Sequence, residues 1–278
     1  MDPLSFLDFI PDFSAAHIVD GYDELPLWSA MFGLLLLEEV PLTGVATALD
    51  VGCGTGFPMI ELAERLGPEC QVHGIDPWRE ALGRAADKIA SRRVVNATLH
   101  EGRASQMPFA DDTFDLIVSN LGLNNFDDRA AVMKDCRRVA RTGGVLALTT
   151  NLQGHMGELY TVFEDVLSRA GDHAALLRLS EHVAHRATIA GVTELLGTGG
   201  FASSRVVERE AIMRFANGTA LLNHHFIKLG FLDAWKQVAR GRERETFSRL
   251  RDALDEHAKS AGELRLTIPM AYVEATAV

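Results

Sequence analysis

The chain has 278 residues, with 38 acidic and 27 basic side chains and a formal net charge of −11 at pH 7. Hydrophobic residues make up 47% and charged residues 23%, which is typical of a folded globular protein and excludes a disordered or fibrous one. A negative surface repels phosphate backbones, so nucleic acid is a disfavoured partner. The arginines between residues 240 and 251 alternate with acidic residues at helical spacing, which favours a solvated helix face over a basic groove.

The three cysteines, Cys53, Cys70 and Cys136, show neither CxxC spacing nor nearby histidine partners. The sequence therefore predicts no disulfide framework and no metal site, and it fits a reducing compartment. The N-terminal residues lack the basic segment of a signal peptide, and the longest apolar run, residues 30–37, is far shorter than a bilayer span. We expect a cytoplasmic protein without a membrane segment.

Between residues 46 and 150, short β-rich segments alternate with helical ones, the pattern of a parallel sheet covered on both faces. Strands are predicted over five segments: Thr47–Val51, Gln71–Asp76, Ala97–Glu101, Phe114–Asn120 and Val145–Thr150. Helices are predicted near 58–66, 79–90 and 129–140, and Gly143-Gly144 reads as the stop of the last one.

Beyond Thr150 apolar residues recur at spacings of three and four, which indicates an amphipathic helix that closes at Gly171. The remaining predicted helices cover 174–187, 193–196, 219–229, 232–239 and 243–260, and strand-like segments cover 204–215 and 264–275. Insertions after the carboxyl ends of strands gather over the ligand crevice of a doubly wound sheet. We therefore expect a lid from residues 1–45, 152–190 and about 216–261, a core at 46–151, and the rest of the core within 191–278.

The strongest motif is a strand that runs into a glycine-rich turn and then a helix, over residues 49–58. Glycines allow a sharp turn and close approach of a ligand to the backbone, and a helix N-terminus offers free N–H groups. Asp76 ends the next strand 20 residues after Gly56, where its carboxylate can accept hydrogen bonds from a ribose diol. The alternative is that Asp76 caps the helix that starts near Trp78.

A nicotinamide-dependent dehydrogenase is the competing interpretation, because it also combines a glycine turn with a downstream acid. Its usual spacing is G-x-G-x-x-G, whereas the third glycine here comes one residue earlier. Nor does any of the three tyrosines have a lysine four residues later to form a reductase pair.

In residues 49–56, 74–76, 102–109, 114–120 and 143–150 the chain resembles the class I S-adenosylmethionine (SAM)-dependent methyltransferases. The resemblance implies an α/β fold, a Rossmann-like, seven-stranded, mostly parallel sheet with helical lid insertions, and SAM as cofactor with S-adenosylhomocysteine as product. It also implies these cofactor-binding positions: Asp50, Gly52, Gly54, Gly56, Asp76, Pro77, Trp78, Ala104, Asn120, Tyr22 and Trp28. Arg103 departs from the family, which commonly has an acidic residue there, and arginine cannot accept a hydrogen bond from adenine.

A sulfonium methyl group is already activated, so the protein must mainly align the reactants, exclude water and remove a proton where the acceptor carries one. Three asparagines that follow strand ends, Asn124, Asn125 and Asn151, are predicted to bind the acceptor together with Glu158. The alternative for Asn124 and Asn125 is that they cap the helix that begins near Asp127. The candidate catalytic residues are His155, Tyr160 and Asn120, with histidines at 182, 185, 224 and 225 as alternatives for proton transfer.

We expect methyl transfer from SAM to a small-molecule acceptor by in-line displacement. A hydrophobic or lipid-like compound is one candidate for this acceptor. Protein or RNA methylation, or SAM binding by a regulator without turnover, are the alternatives. The acceptor, the attacking atom, the use of a general base and the oligomeric state stay open at this stage.

Overall fold

The computed structural model describes residues 2–24 and 28–278. Within them, seven strands form one sheet in the order β3-β2-β1-β4-β5-β7-β6. The strands are β1 (Thr47–Val51), β2 (Gln71–Asp76), β3 (Ala97–Glu101), β4 (Phe114–Asn120), β5 (Ala140–Asn151), β6 (Phe201–Phe215) and β7 (Leu264–Ala277). Neighbours among β1 to β5 are parallel, and β5 pairs with β7 in antiparallel register. This confirms the predicted Rossmann-like, mostly parallel sheet.

The strand order reverses between β1 and β4, and both strands end at the same edge of the sheet. In such sheets the crevice at this switch point is the ligand site. The central strands are apolar along their length because both of their faces are covered: Ala48 and Leu49 of β1, and Leu116 and Ile117 of β4, are fully buried.

By the clustering of contacts the chain divides into two compact units. The sheet unit contains the described residues of 13–151 together with 187–209 and 270–278. Its helices are α1 (Ala16–Glu24), α2 (Ser29–Glu39), α3 (Met59–Leu66), α4 (Arg79–Arg92), α5 (Arg129–Val139) and, later in the chain, α8 (Ile189–Thr198).

The helical unit contains residues 2–12, 152–186 and 210–269. Its helices are α6 (Gly157–Arg169), α7 (His173–Ala184), α9 (Gly218–Asn223), α10 (His225–Gly230), α11 (Leu232–Val238) and α12 (Glu243–Ala261). Phe247 and Leu250 of α12 are fully buried, and Phe6 meets the Phe247 ring edge-on at 6.0 Å. This unit therefore has an apolar core of its own.

Two predictions of secondary structure are wrong, one at Gly143 and Gly144 and one at the helix predicted over 219–229. Gly143 and Gly144 do not stop the helix before them, because they lie inside β5. Gly143 has a φ of +81°, and the pairing register shifts between Phe114 and Leu116, so the glycines form a bulge in an extended strand. The helix itself ends at Val139.

The second error is the single helix predicted over 219–229, which is in fact two helices. His224 is extended, with a ψ of 130°, and its ring packs edge-on against Phe215 at 5.4 Å. This contact with the last residue of β6 accompanies the break between α9 and α10, which the spacing of apolar residues did not indicate.

No helix in the described part of the chain combines the length and the apolar character that a membrane crossing requires.

Candidate functional site

The glycine turn follows β1 with backbone angles that favour glycine: φ is +83° at Gly52, +51° at Gly54 and +95° at Gly56. A Cβ at Gly56 would lie 2.7 Å from Cδ1 of Ile60 and 3.1 Å from Cβ of Ala85, so this glycine allows close packing of the turn. A Cβ at Gly54 would project into open space. Gly54 therefore offers its backbone to a ligand.

Asp76, at the end of β2, is hydrogen-bonded to this turn. Its Oδ2 accepts from the N–H of Gly54 at 2.9 Å, and its Oδ1 accepts from the N–H of Trp78 at 2.8 Å. Trp78 rather than Asp76 is the N-cap of α4, so the helix-cap alternative does not describe this carboxylate. An ionised carboxylate has about four acceptor positions, so Asp76 retains capacity for the hydroxyls of a ribose. Burial raises its pKa, and the two N–H donors partly offset that rise.

Asp50 lies in β1 directly before the turn and is fully buried, and among the described residues neither of its carboxylate oxygens has a hydrogen-bond partner. Burial and the charge of Asp76 raise its pKa to about 8, although the Met59 N–H acts in the opposite direction. A buried carboxylate is costly unless a cation or donor accompanies it. The cationic groups of SAM meet that requirement, so this position fits the cofactor.

Tyr22 and Asp23, in α1, bring the N-terminal segment to α4. Asp23 forms ion pairs with Arg84, at 2.8 Å, and with Lys88. The Tyr22 ring packs edge-on against Trp78 at 5.3 Å and is 37% exposed. Partial burial and the charge of Asp76 raise the pKa of Tyr22.

Trp28 is the N-cap of α2, and Asn120, the last residue of β4, is hydrogen-bonded to the start of that helix. The ring of Trp28 packs against Phe32 at 5.1 Å, within the sheet unit. The Asn120 side chain donates to the carbonyl of Ser29 at 3.1 Å and accepts from the Thr149 hydroxyl at 2.7 Å. The amide is therefore held in one orientation and still has one N–H and one lone pair for a ligand.

Asn124 and Asn151 bind each other. The Asn124 amide donates to Asn151 Oδ1 at 2.8 Å and accepts from the buried Thr150 hydroxyl at 2.8 Å. Asn125 has a longer bond, of 3.5 Å, to the carbonyl of Leu121. The alternative that Asn124 or Asn125 caps the next helix is wrong. The N-cap of α5 is Asp128, whose side chain accepts a hydrogen bond from the N–H of Ala131.

Two further predicted cofactor residues, Pro77 and Ala104, lie in loops of the sheet unit; Pro77 is exposed and Ala104 is half-buried in a turn. The loop that holds Ala104 is joined to β2 by a bond of 3.1 Å from the Gly102 N–H to the Asp76 carbonyl. Arg103 is exposed and lies 3.6 Å from Asp127.

His155 and Tyr160 belong to a polar cluster inside the helical unit. The Tyr160 hydroxyl lies 3.0 Å from Nε2 of His182 and 3.5 Å from Nε2 of His155, and it accepts from Nε1 of Trp235 at 3.2 Å. Burial is the main cause that lowers the pKa of His155 to about 3 and that of His182 to about 4. Both rings are therefore neutral at physiological pH.

Arg186 belongs to the same cluster, since its charge lowers the pKa values of both histidines and acts to lower that of Tyr160. Sequence reasoning did not assign a role to Arg186 or Trp235. Trp235 lies 75 positions from Tyr160, so no local spacing could relate the two.

Glu158 binds Thr267 and not the Tyr160 hydroxyl or its partners. Its carboxylate accepts from the backbone N–H of Thr267 at 3.0 Å and from the Thr267 hydroxyl. Partial burial acts to raise its pKa, but the bonds from Thr267 outweigh it and hold the pKa below its ordinary value. In the part of the chain that the structure describes, no three metal-ligating side chains come together.

Comparison with known proteins places these elements in a family. Residues 43–194, more than half of the chain, match the family described as "Methyltransferase domain". A demethylmenaquinone methyltransferase of Anoxybacillus flavithermus is 42% identical over 105 residues, which are 37% of this chain and 44% of that protein. The chain thus matches less than half the length of this relative.

Solved structures share the fold at low identity. A putative methyltransferase from Bacillus halodurans is 19% identical with a TM-score of 0.58, over 88% of this chain and 97% of the other. A phosphoethanolamine N-methyltransferase of Haemonchus contortus, solved with phosphomonomethylethanolamine and S-adenosylhomocysteine, is 15% identical with a TM-score of 0.56, over 100% and 60%. With the matched family, the strand order and the glycine turn held by Asp76, the chain belongs to the methyltransferase domain family, of the class I SAM-dependent type.

Proposed function

We propose that this protein transfers the methyl group of SAM to a small-molecule acceptor. The observation that carries the proposal is the pair formed by Gly54 and Asp76: a glycine that borders open space, beside a carboxylate that retains acceptor capacity. This is the arrangement that holds a nucleoside by its ribose and leaves room for the rest of the ligand.

In this proposal the sheet unit binds SAM. Asp76 accepts hydrogen bonds from the ribose hydroxyls, Gly52 to Gly56 pass beneath the nucleoside, and Asp50 balances the positive charge of the methionine end. Trp78 and Tyr22 provide aromatic faces, and the Ala104 backbone contacts the adenine edge. When bound, SAM supplies a methyl group on a sulfonium, which needs no further activation.

The acceptor is proposed to bind through the asparagines near the strand ends, Asn120, Asn124, Asn125 and Asn151. Trp28 is proposed to lie beside the sulfonium of SAM, and Glu158 stays a candidate contact of the acceptor. Curated relatives are named demethylmenaquinone methyltransferases, which supports a small molecule over a macromolecule as acceptor. The net charge of −11 also argues against nucleic acid.

Proton removal is proposed to fall to His155 or to Tyr160. Burial keeps the ring of His155 neutral above about pH 3, and the same low pKa makes the ring a weak base that can help only while the proton leaves the acceptor. The Tyr160 hydroxyl can donate a hydrogen bond to the neutral ring of His182 across 3.0 Å, which orients its oxygen.

The test is methyl transfer from labelled SAM to fractionated metabolite pools, with a demethylmenaquinone analogue as one defined acceptor. The proposal predicts a labelled small-molecule product that disappears with Asp76→Ala. Label recovered in protein or RNA would establish a macromolecular substrate instead. SAM binding without any labelled product would favour a regulator without turnover.

A further inference from the structure

Arg186 has no carboxylate partner among the described residues. In that part of the chain its buried Nε has no hydrogen-bond partner, and Arg186 takes part in none of the ion pairs. Arginine stays protonated at all relevant pH values. Several other arginines of the helical unit, Arg169, Arg214 and Arg242 among them, pair with acidic residues.

The groups around Arg186 are neutral. Its neighbours are the Tyr160 hydroxyl and the rings of His155 and His182, and both rings are uncharged because burial and the Arg186 charge disfavour the imidazolium. The buried part of a cation among neutral groups lacks water, and an anion that binds from the accessible side would complete its surroundings. The described part of the helical unit offers it no such anion.

The cluster is rich in hydrogen-bonding groups and has an accessible side. Tyr160 is 6% exposed and His155 is 1% exposed, whereas His182 and Arg186 are half-buried. The planar guanidinium can grip a carboxylate or phosphate with two parallel bonds. A hydroxyl and an imidazole beside it can donate further hydrogen bonds to the same anion.

We propose that Arg186, together with Tyr160 and His182, binds an anionic oxygen group of the methyl acceptor. The acceptor is then an acidic small molecule with a carboxylate or phosphate, held by its anionic end in the helical unit. This inference rests on the proposed methyl transfer for the identity of the ligand, but the anion site itself does not.

The first experiment separates a metabolite pool by anion exchange and offers each fraction to the full-length protein with labelled SAM. The wild type should methylate a compound in the retained, acidic fraction. Arg186→Met removes the charge at similar volume and should lower kcat/KM by at least about tenfold, mainly through KM, with SAM affinity by calorimetry unchanged. Arg186→Lys, which keeps the charge without the planar fork, should recover part of the loss. Arg169→Met, on the exposed face of α6, is the matched control and should behave as the wild type.

A product that forms only from the unretained fraction, or normal turnover by Arg186→Met, would overturn the inference. If no fraction yields a labelled product, the proposed function fails and a second measurement decides the anion site. Thermal unfolding is then followed with inorganic phosphate, with benzoate and with neutral benzamide. Stabilisation by phosphate or benzoate, absent with benzamide and lost in Arg186→Met but kept in Arg169→Met, supports the site. Equal responses of all three proteins would refute it.

Discussion

The carboxylate of Asp76 accepts a hydrogen bond from the backbone N–H of Gly54 at 2.9 Å, across 22 positions of the chain. The bond joins the end of β2 to the turn after β1, which are neighbours in the sheet. It therefore sets the distance between the two parts of the proposed nucleoside site in the unliganded protein.

Replacement of Asp76 by Ala should weaken binding of S-adenosylhomocysteine by roughly 10- to 150-fold. The reason is the loss of charge-assisted hydrogen bonds, worth about 1.5–3 kcal/mol. Titration calorimetry measures the affinity, and Glu101→Ala, an exposed carboxylate at the end of the adjacent β3, is the control. An unchanged affinity in Asp76→Ala would remove Asp76 from the cofactor site.

Asp50 should make the unliganded protein less stable as the pH rises. Its folded-state pKa of about 8 lies above the ordinary value of 3.8, so the stability it contributes is full below about pH 4 and is lost as the pH rises toward 8. Asp50→Asn cannot ionise. The free energy of unfolding of this variant, relative to that of the wild type, should increase between pH 4.5 and 8 by an amount on the order of a few kcal/mol. Urea unfolding at several pH values measures it, and parallel curves would show that Asp50 is ionised in the fold.

His155 should make the protein sensitive to acid. Its folded-state pKa of about 3 lies below the ordinary value of 6.5, so the stability it contributes is present above pH 6.5 and is lost as the pH falls toward 3. His155→Gln should flatten this loss, whereas His173→Gln, at an exposed position of α7, should leave it unchanged. Chemical unfolding between pH 4 and 7 makes the comparison, and an equally steep loss in all three proteins would contradict the assignment.

The pH dependence of kcat should be the same near pH 6.5 in the wild type and in His155→Gln. Neither protein should show a fall in kcat that His155 causes. A histidine with an ordinary pKa would produce such a fall, because it protonates near pH 6.5. Burial keeps the His155 ring unprotonated down to about pH 3, so its protonation cannot shape the profile in this range. Measured kcat values between pH 5 and 8, with the acceptor found in the labelling screen, provide the check.

The N-terminal segment contains residues with two different roles. Phe32 in α2 is fully buried, so Phe32→Ala should lower the free energy of unfolding by about 3–5 kcal/mol. Tyr22 is 37% exposed, and Tyr22→Ala should cost much less stability while it weakens SAM binding and turnover. Deletion of residues 1–40 should therefore destabilise the whole sheet unit, which makes the Tyr22 variant the better probe of catalysis. Unfolding and binding measured on the same samples separate the two effects.

The sequence alone was sufficient for strands β1 to β4. Their bounds agree with the prediction, and β1, β2 and β3 are each followed directly by a glycine or a proline, which is a local signal. The glycine turn and Asp76 were identified in the same way, since close backbone approach and a strand-end carboxylate restrict which residues can stand there.

Only the tertiary structure decided what depends on residues far apart in the chain. The bulge at Gly143 arises from pairing with β4. The partners of Tyr160 lie 22 and 75 positions away. Burial, which changes the histidines of that cluster from titrating groups into neutral ones, is a property of the packed unit and has no signature in the spacing of its residues.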